Sequence, residues 1–140
     1  MSKVKELVKV SGAIFEKNSE VLIVREPNGQ WSLPGGTAKP NESPLETLLR
    51  ELSEKLIGLS ICGVPEVFRH FAPSGHNHRE ITIFLVETDD GIIRPNPLEI
   101  ADTRWINYSV DGSVNLPREV IRSLQSLRKK RHRPPPKILD

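Results

Sequence analysis

GGTAKPNESPLETLLRELSEKLIGL, residues 35–59, places two glycines ahead of a helical pattern that carries clustered carboxylates. Ser43 is a favourable N-cap with a proline directly after it, and Glu46 completes a capping box with Ser43. Gly58 is well placed to end the helix in a left-handed conformation. The segment therefore predicts a helix over residues 44–57.

The two faces of this helix differ in character. Leucines recur at steps of three and four residues, and at about 100° per residue the charged side chains fall on the opposite side. The predicted apolar stripe is Leu45, Leu48, Leu49, Leu52 and Leu56, and the charged face is Arg50, Glu51, Glu54 and Lys55. A charged face is ordinarily only solvated. Here the preceding glycines allow the backbone to approach a ligand closely, and carbonyl and carboxylate oxygens together suit a hard dication such as Mg²⁺.

The segment resembles the Nudix box, the signature of hydrolases that cut nucleoside diphosphates linked to another group. That pattern reads G-x5-E-x7-R-E-U-x-E-E-x-G-U, where U is a bulky aliphatic residue. The residues in register are Gly36, Glu42, Arg50, Glu51, Leu52 and Glu54. Lys55 stands where the second glutamate of the pair belongs, Ile57 occupies the glycine position, and Gly58 comes one residue late. The similarity extends over about residues 8–127.

The resemblance implies a set of site residues around a metal ion. Glu51 and Glu54 match positions that bind metal or act on the nucleophilic water, so both are candidate catalytic and metal-binding residues. Gly35 matches the residue whose backbone carbonyl is a metal ligand, and Gly36 is expected to contact substrate. The resemblance implies Mg²⁺ or Mn²⁺ as the cofactor.

Four further residues complete the expected site. Arg50 matches a residue that braces the loop, with Glu42 as its expected partner. Glu99, from the late acidic loop, is a candidate catalytic base or further ligand, with Asp102 as its rival. Arg25 ends a strand that leads to the glycine turn, where the family often has a phosphate-binding arginine. A surface ion pair with Glu26 or Glu20 is the alternative for Arg25.

Lys55 divides the functional hypotheses. A cation cannot be a Mg²⁺ ligand, and Lys55 follows Glu51 by four residues, the favourable order for a helical ion pair. Its long stem can alternatively carry the charge away to solvent. We therefore predict an enzyme, a Nudix-type hydrolase that cuts the diphosphate bond of a nucleoside diphosphate derivative with a weakened metal site. The alternative is a non-catalytic Nudix-derived module that binds a nucleotide, an RNA or a protein.

The remaining chain predicts an α/β domain. Apolar, β-prone segments at 8–15, 21–25, 30–33, 64–71, 80–87 and 103–106 read as strands, and residues 116–130 read as a second helix. Residues 72–79 are predicted to be an exposed loop. With the resemblance, the expectation becomes an α/β/α sandwich with a mixed sheet and two main helices.

Charge and composition predict where the domain ends and in which compartment the protein works. Residues 1–127 form the predicted Nudix-like domain, and residues 128–140 form a basic, proline-containing tail with six Lys or Arg and one Asp. Without the tail, 14 basic and 17 acidic residues give a body of about −3. The tail is either a solvated terminus or an RNA contact whose affinity falls with salt. The lone cysteine, Cys62, excludes an internal disulfide and favours a cytoplasmic setting. No segment predicts a membrane span, and the oligomeric state is open, with a homodimer frequent in the family.

Overall fold

A mixed β-sheet lies between two helices. The computed structural model describes residues 7–74, 77–89, 93–107 and 116–131. In chain order the elements are β1 (Leu7–Lys17), β2 (Glu20–Arg25), β3 (Trp31–Ser32), β4 (Gly35–Thr37), α1 (Pro44–Lys55), β5 (Leu56–Ile57), β6 (Ile61–Ser74), β7 (Asn77–Thr88), β8 (Arg94–Pro95), β9 (Asp102–Asn107) and α2 (Arg118–Arg131). The predicted α/β architecture with two main helices is confirmed. Helix α2 continues past residue 127, the expected end of the domain, to Arg131.

The main sheet joins strands that are distant in sequence. Its order is β3-β2-β1-β7-β6, with β4 also paired to β1 and β9 also paired to β2. The β1–β7 pair is parallel and the other pairs are antiparallel. Strands β5 and β8 form a separate antiparallel pair. The long β1 strand therefore pairs with β2 near its end and with β4 near its middle.

Alternation along the strands produces two cores, one on each face of the sheet. Ile14 and Ile83 point to the face that α2 covers, whereas Ala13 and Phe84 point to the face that α1 covers. Leu124 of α2 is fully buried in the first core. A sheet with both faces covered in this way explains why β1, β2 and β7 each contain a continuous apolar run.

Helix α1 begins where its sequence predicts. Ser43 Oγ accepts the Glu46 backbone N–H at 3.1 Å, and Glu46 Oε1 accepts the Ser43 N–H at 3.1 Å, which forms the capping box. Leu48 and Leu52 are buried, but Leu45 and Leu49 are 42% and 45% exposed. The apolar stripe is therefore narrower than predicted.

The C-terminal end of α1 differs from the prediction. The helix ends at Lys55 rather than at residue 57, because Leu56 turns to an extended conformation and Leu56–Ile57 pairs with Arg94–Pro95. Gly58 does adopt the left-handed conformation, with φ at +69°, but it follows strand β5 instead of capping the helix. Lys55 is thereby the last helical residue.

Residues 72–79 were expected to form a loop, and the described part of them is strand. The register of β6 on β7 continues through Ala72↔Arg79 to Ser74↔Asn77, so the two strands form a long hairpin; residues 75–76 lie outside the described part. The pairing continues into this polar stretch because cross-strand hydrogen bonds do not depend on side-chain polarity. The sequence Asp-Asp-Gly at residues 89–91 predicts a turn, and it lies mostly outside the described residues. No helix within the described ranges is both long enough and apolar enough to cross a membrane.

Candidate active site

The two glycines lie on β4, packed between β1 and the first helix. Gly35 and Gly36 pair with Gly12 and Ser11 of β1, and the Ala13 N–H donates to the Pro34 carbonyl at 2.8 Å. A Cβ on Gly35 would collide with the Ser11 carbonyl and lie 2.7 Å from the Gly12 Cα. Only glycine lets the two backbones approach this closely.

Gly36 sets the position of the first box carboxylate. A Cβ on Gly36 would lie 2.5 Å from Glu51 Oε1 and 2.7 Å from Glu51 Cγ. The glycine thus leaves the space that the Glu51 side chain fills. The glycine strand and helix α1 therefore form one site, because the Glu51 carboxylate occupies the space that a side chain at Gly36 would need.

Arg50 holds the loop and the carboxylates together. Its Nε donates to Glu42 Oε2 at 2.7 Å, its Nη1 donates to Glu51 Oε1 at 2.9 Å, and its Nη2 donates to the Thr37 carbonyl at 3.0 Å. Glu54 Oε1 lies 3.7 Å from Nη1. One planar guanidinium therefore braces three segments of chain, which a lysine could not do in this geometry.

The partners of Glu42 strongly favour its ionised form. The hydrogen bond from Arg50 and that from the Lys39 N–H hold the pKa of Glu42 at about 2, below its ordinary 4.5, and Thr47 Oγ1 adds a third donor at 3.0 Å. The same contacts raise the pKa of Arg50. This pair keeps its charges across the working range of pH, and it fixes the loop that precedes α1.

Lys55 turns inward, toward the glycine strand. Its ammonium donates to the Gly35 carbonyl, lies 3.0 Å from Glu26 Oε1 and lies 3.6 Å from Glu51 Oε2. Only 11% of the Lys55 side chain is exposed, so the stem does not carry the charge into solvent. The Gly35 carbonyl and Glu51, both expected as metal ligands, therefore face a lysine ammonium.

Glu54, in contrast, points outward, and its side chain is 48% exposed. Within the described ranges, no three carboxylate, histidine or cysteine side chains converge closely enough to form a metal cluster. The oxygen donors near the box that suit a hard dication are Glu51, Glu54 and the Gly35 carbonyl. They fit such an ion in chemical type, although Lys55 already contacts two of them.

Arg25 lies against an aromatic ring. Its guanidinium carbon is 5.9 Å from the centre of the Trp31 ring, and that of Arg104 is 5.2 Å away, distances typical of cation–π contacts. Trp31 itself is half-buried and packs against the core on the α2 side. Arg25 is thus in contact with Trp31, and Glu26 pairs with Lys55.

The late acidic residues lie on a loop that is docked onto α1. The Asn96 N–H donates to the Lys55 carbonyl at 2.7 Å and the Asn96 side chain donates to the Glu54 carbonyl at 2.9 Å. Glu99 follows in an exposed turn, and the Asp102 side chain accepts the Thr103 N–H at 2.8 Å. The structure places this loop beside the end of α1, with the Glu99 side chain directed to solvent.

A cavity of about 660 Å³ opens beside the box, between the sheet and the start of α2. Its lining joins backbone and side chains from five regions of the chain: Val10, Ser11, Gly12, Glu26, Asn28, Gly29, Gln30, Trp31, Ser32, Leu33, Gly35, Gly36, Lys55, Arg79, Ile81, Ile83, Leu116, Pro117, Glu119 and Val120. Apolar walls with a few charged groups are typical of a small-molecule site. Lys55 and the two glycines lie at the box end of this cavity.

Glu26 is the site residue that sequence reasoning missed. The sequence suggested it only as a surface partner of Arg25. Successive residues of an extended segment point to opposite faces, so Glu26, directly after Arg25, faces α1 when Arg25 faces Trp31. That alternation, together with Lys55 at the end of α1, was the signal in the sequence that could have indicated the pairing of Glu26 with Lys55.

Known proteins resemble this chain in sequence and in fold. Residues 5–122 match the family model described as "NUDIX domain". An 8-oxo-dGTP diphosphatase from Proteus vulgaris is 34% identical over 88 residues, which are 59% of this chain and 77% of that protein. The NAD-capped RNA hydrolase NudC of Chromobacterium violaceum is 29% identical over 107 residues, 74% of this chain but only 38% of that protein.

Solved structures share the fold. The solution structure of the E. coli ORF135 protein has a TM-score of 0.76 at 23% identity and covers 95% of this chain and 96% of its own. A MutT NUDIX hydrolase from Burkholderia pseudomallei has a TM-score of 0.67 at 21% identity and covers 86% of this chain and 98% of its own. Members of this family generally use divalent metals. With the family match over residues 5–122 and the fold and box geometry described above, the chain belongs to the NUDIX domain family.

Proposed function

We propose that this protein hydrolyses the diphosphate linkage of a nucleoside diphosphate derivative, with Mg²⁺, or Mn²⁺ in its place, as the cofactor. The observation that carries the proposal is the close packing of the Glu51 carboxylate against Gly36, a glycine that itself lines a cavity large enough for a nucleotide. An 8-oxo-dGTP diphosphatase among the relatives supports a substrate of this class.

The residues of this chain have separate roles in the proposal. Glu51 and Glu54 would hold the metal and act on the nucleophilic water, with the Gly35 carbonyl as the third donor. A bound dication polarises a phosphoryl oxygen and lowers the pKa of a water molecule. Arg50 and Glu42 brace the loop, so that Glu51 stays beside Gly36. Lys55 weakens the metal site, because its ammonium competes for the Gly35 carbonyl and for Glu51.

Three further residues bind substrate or complete the reaction in this proposal. Arg25, whose guanidinium lies against Trp31 of the cavity lining, would contact substrate phosphate, and Gly36, which also lines the cavity, would contact the substrate through its backbone. Glu99 would supply a late base or ligand when its loop turns inward. The exposed, free thiol of Cys62 favours a reducing compartment, so the proposed setting is the cytoplasm.

The test is turnover on a panel of nucleoside diphosphate derivatives: oxidised nucleotides, dinucleoside polyphosphates, nucleotide sugars and capped RNA. Each is incubated with Mg²⁺, with Mn²⁺ and with chelator, and phosphate release is followed with a coupled phosphatase. We expect metal-dependent turnover on at least one substrate, and its loss in Glu54→Gln. Glu20→Gln, which removes an exposed carboxylate on β2, is the matched control and should retain turnover.

One observation favours a second candidate, a non-catalytic nucleotide-binding module. Lys55 lies on two of the donors that a metal would need, and a domain that only binds its ligand has no need of that metal. A folded protein with no turnover on any panel member, but with a nucleotide-induced rise in Tm, would support the module and refute the hydrolase.

RNA binding by the basic tail is proposed as a separate property. Replacing the six Lys and Arg of residues 128–140 by glutamine keeps the chain length and removes the charge. We expect weaker RNA binding at low salt and a shallower dependence of affinity on salt. Equal affinity in the two proteins would refute the proposal. Homodimer formation is tested in the same samples by sedimentation.

A further inference from the structure

The Lys55 ammonium is enclosed by oxygens from three elements. The Gly35 carbonyl comes from β4, Glu26 from the end of β2, and Glu51 from the preceding turn of α1. An ammonium has three N–H donors, and three oxygen groups surround it here. Its side chain is 11% exposed, and those of Glu26 and Glu51 are 25% and 14% exposed, so this is not an ordinary surface ion pair.

The groups around Lys55 include those expected to bind a metal. The resemblance assigns the Gly35 carbonyl and Glu51 to a dication, and the glutamate that would complete the set is replaced by Lys55 itself. Two carboxylates and one carbonyl around a single ammonium leave a net charge of −1, so the cluster is largely neutralised without a metal ion.

We infer that the Lys55 ammonium is a tethered cation that takes the place of one dication at the Gly35 carbonyl, and that Glu26 is the residue that positions it. The inference rests on the proposed function for the identity of the metal donors. It deepens that proposal, because it fixes which metal position is filled by the chain itself. While Lys55 holds the Gly35 carbonyl, that carbonyl is not available as the third metal donor, and a dication can bind only on the outer side, at Glu54 and the Glu51 oxygen that Arg50 also contacts.

Glu26 is essential to this arrangement. Its carboxylate is nearer to the Lys55 ammonium, at 3.0 Å, than Glu51 is, at 3.6 Å. Glu26 draws the ammonium across the Gly35 carbonyl instead of letting it pair with Glu51 alone. Glu26 acts through Lys55, so it is a positioning residue.

The experiment counts bound Mn²⁺ by electron paramagnetic resonance of the free ion, in the absence of any nucleotide. Five proteins are compared: the natural chain, Lys55→Glu, Lys55→Met, Lys17→Glu and Glu26→Gln. Lys55→Met removes the charge without adding a ligand. Lys17→Glu makes the same charge change as Lys55→Glu at an exposed position on β1 and is the matched control.

We expect Lys55→Glu to bind one more Mn²⁺ than the natural chain. Lys55→Met should bind its Mn²⁺ at least about tenfold more tightly than the natural chain, because a positive charge has been removed from beside the site. Lys17→Glu should match the natural chain. Equal stoichiometry and equal affinity in the natural chain and both Lys55 variants would overturn the inference.

A variant that does not fold in the absence of metal still tests the inference. If Lys55→Glu lacks helical circular dichroism without metal, recovery of that signal on adding Mn²⁺ supports the inference, and no recovery counts against it. In Glu26→Gln, the cluster loses one negative charge and the ammonium is left to pair with Glu51 alone, so Mn²⁺ affinity should fall. Unchanged affinity would remove Glu26 from the account. Because no substrate is present, failure here is separate from failure of the turnover assay.

Discussion

Gly36→Ala should separate catalysis from folding. The new methyl group would lie 2.5 Å from Glu51 Oε1 and 2.7 Å from Glu51 Cγ, whereas carbon atoms in contact are about 3.5–4.0 Å apart. Glu51 must therefore retreat by about 1 Å. The obstacle is a side chain rather than backbone, so the fold can absorb the change at a cost of about 1–3 kcal/mol.

The expected result is a large loss of turnover in a folded protein. A misplacement of about 1 Å in a catalytic group can lower the rate roughly 100-fold. We therefore expect kcat to fall about 100-fold on whichever panel substrate is hydrolysed fastest. The fall in Tm should be roughly 3–12 °C, as follows from the unfolding entropy of a domain of this size. Turnover and thermal unfolding are measured on the same preparation.

Two other glycines serve as controls. Gly63→Ala, on β6, brings a Cβ only to 3.3 Å from the flexible end of Glu87, so turnover and Tm should both be retained. Gly35→Ala meets backbone atoms of β1 and should not give a folded protein. If Gly36→Ala keeps kcat within about threefold of the natural chain, Glu51 is not held by this contact and the reasoning fails.

The remaining predictions concern stability. The pKa of Glu42 in the fold, about 2, lies below its ordinary 4.5, so the ionised carboxylate stabilises the fold fully above pH 4.5. This stabilisation is lost as pH falls through 2. Tm measured against pH should therefore fall over this range, and Glu42→Gln should make that fall smaller. Burial lowers the pKa of His70 below 6.5, so the neutral imidazole stabilises the fold fully above pH 6.5, and this stability is lost as pH falls through the lower pKa of the folded state. His70→Gln, whose amide can still donate to Ser123, should remove this loss of stability at low pH. An unchanged dependence of Tm on pH in His70→Gln would show that His70 is not its cause. Ser43→Ala removes the N-cap of α1 and should lower the free energy of unfolding by about 1 kcal/mol in urea titration, whereas no change would show that the capping box contributes nothing.

Local signals were sufficient where the determining interactions are close in sequence. The start of α1 follows from Ser43 and Glu46, because an N-cap and its partner are separated by only three residues. The strands on either side of residues 18–19 follow from their apolar runs and from the turn between them, where Asn18 and Ser19 both have positive φ. The α/β class could be predicted because these elements alternate along the chain.

Long-range pairing explains what the sequence could not provide. Residues 72–79 look polar and turn-rich, yet they continue a hairpin because β7 is also paired along its other edge to β1. Gly35 to Thr37 was interpreted only as a turn, since nothing local indicates that β1 lies beside it. The apolar stripe of α1 was overestimated at Leu45 and Leu49, because helical spacing does not reveal how much of a helix the sheet covers.

Lys55 and the late glycine, Gly58, are the two departures of this chain from the family box, and the segment that follows α1 explains both. Leu56–Ile57 pairs with Arg94–Pro95, and Asn96 binds the carbonyls of Glu54 and Lys55, so the last turn of α1 is fixed from outside. An α-helix that continued to residue 57 would leave no strand for this pairing. Since the helix must end at Lys55, the lysine stem starts from an anchored backbone and reaches the Gly35 carbonyl and Glu26. The late glycine and the lysine in the glutamate position are therefore parts of one local rearrangement, in which the end of the helix places a cation at the metal donors.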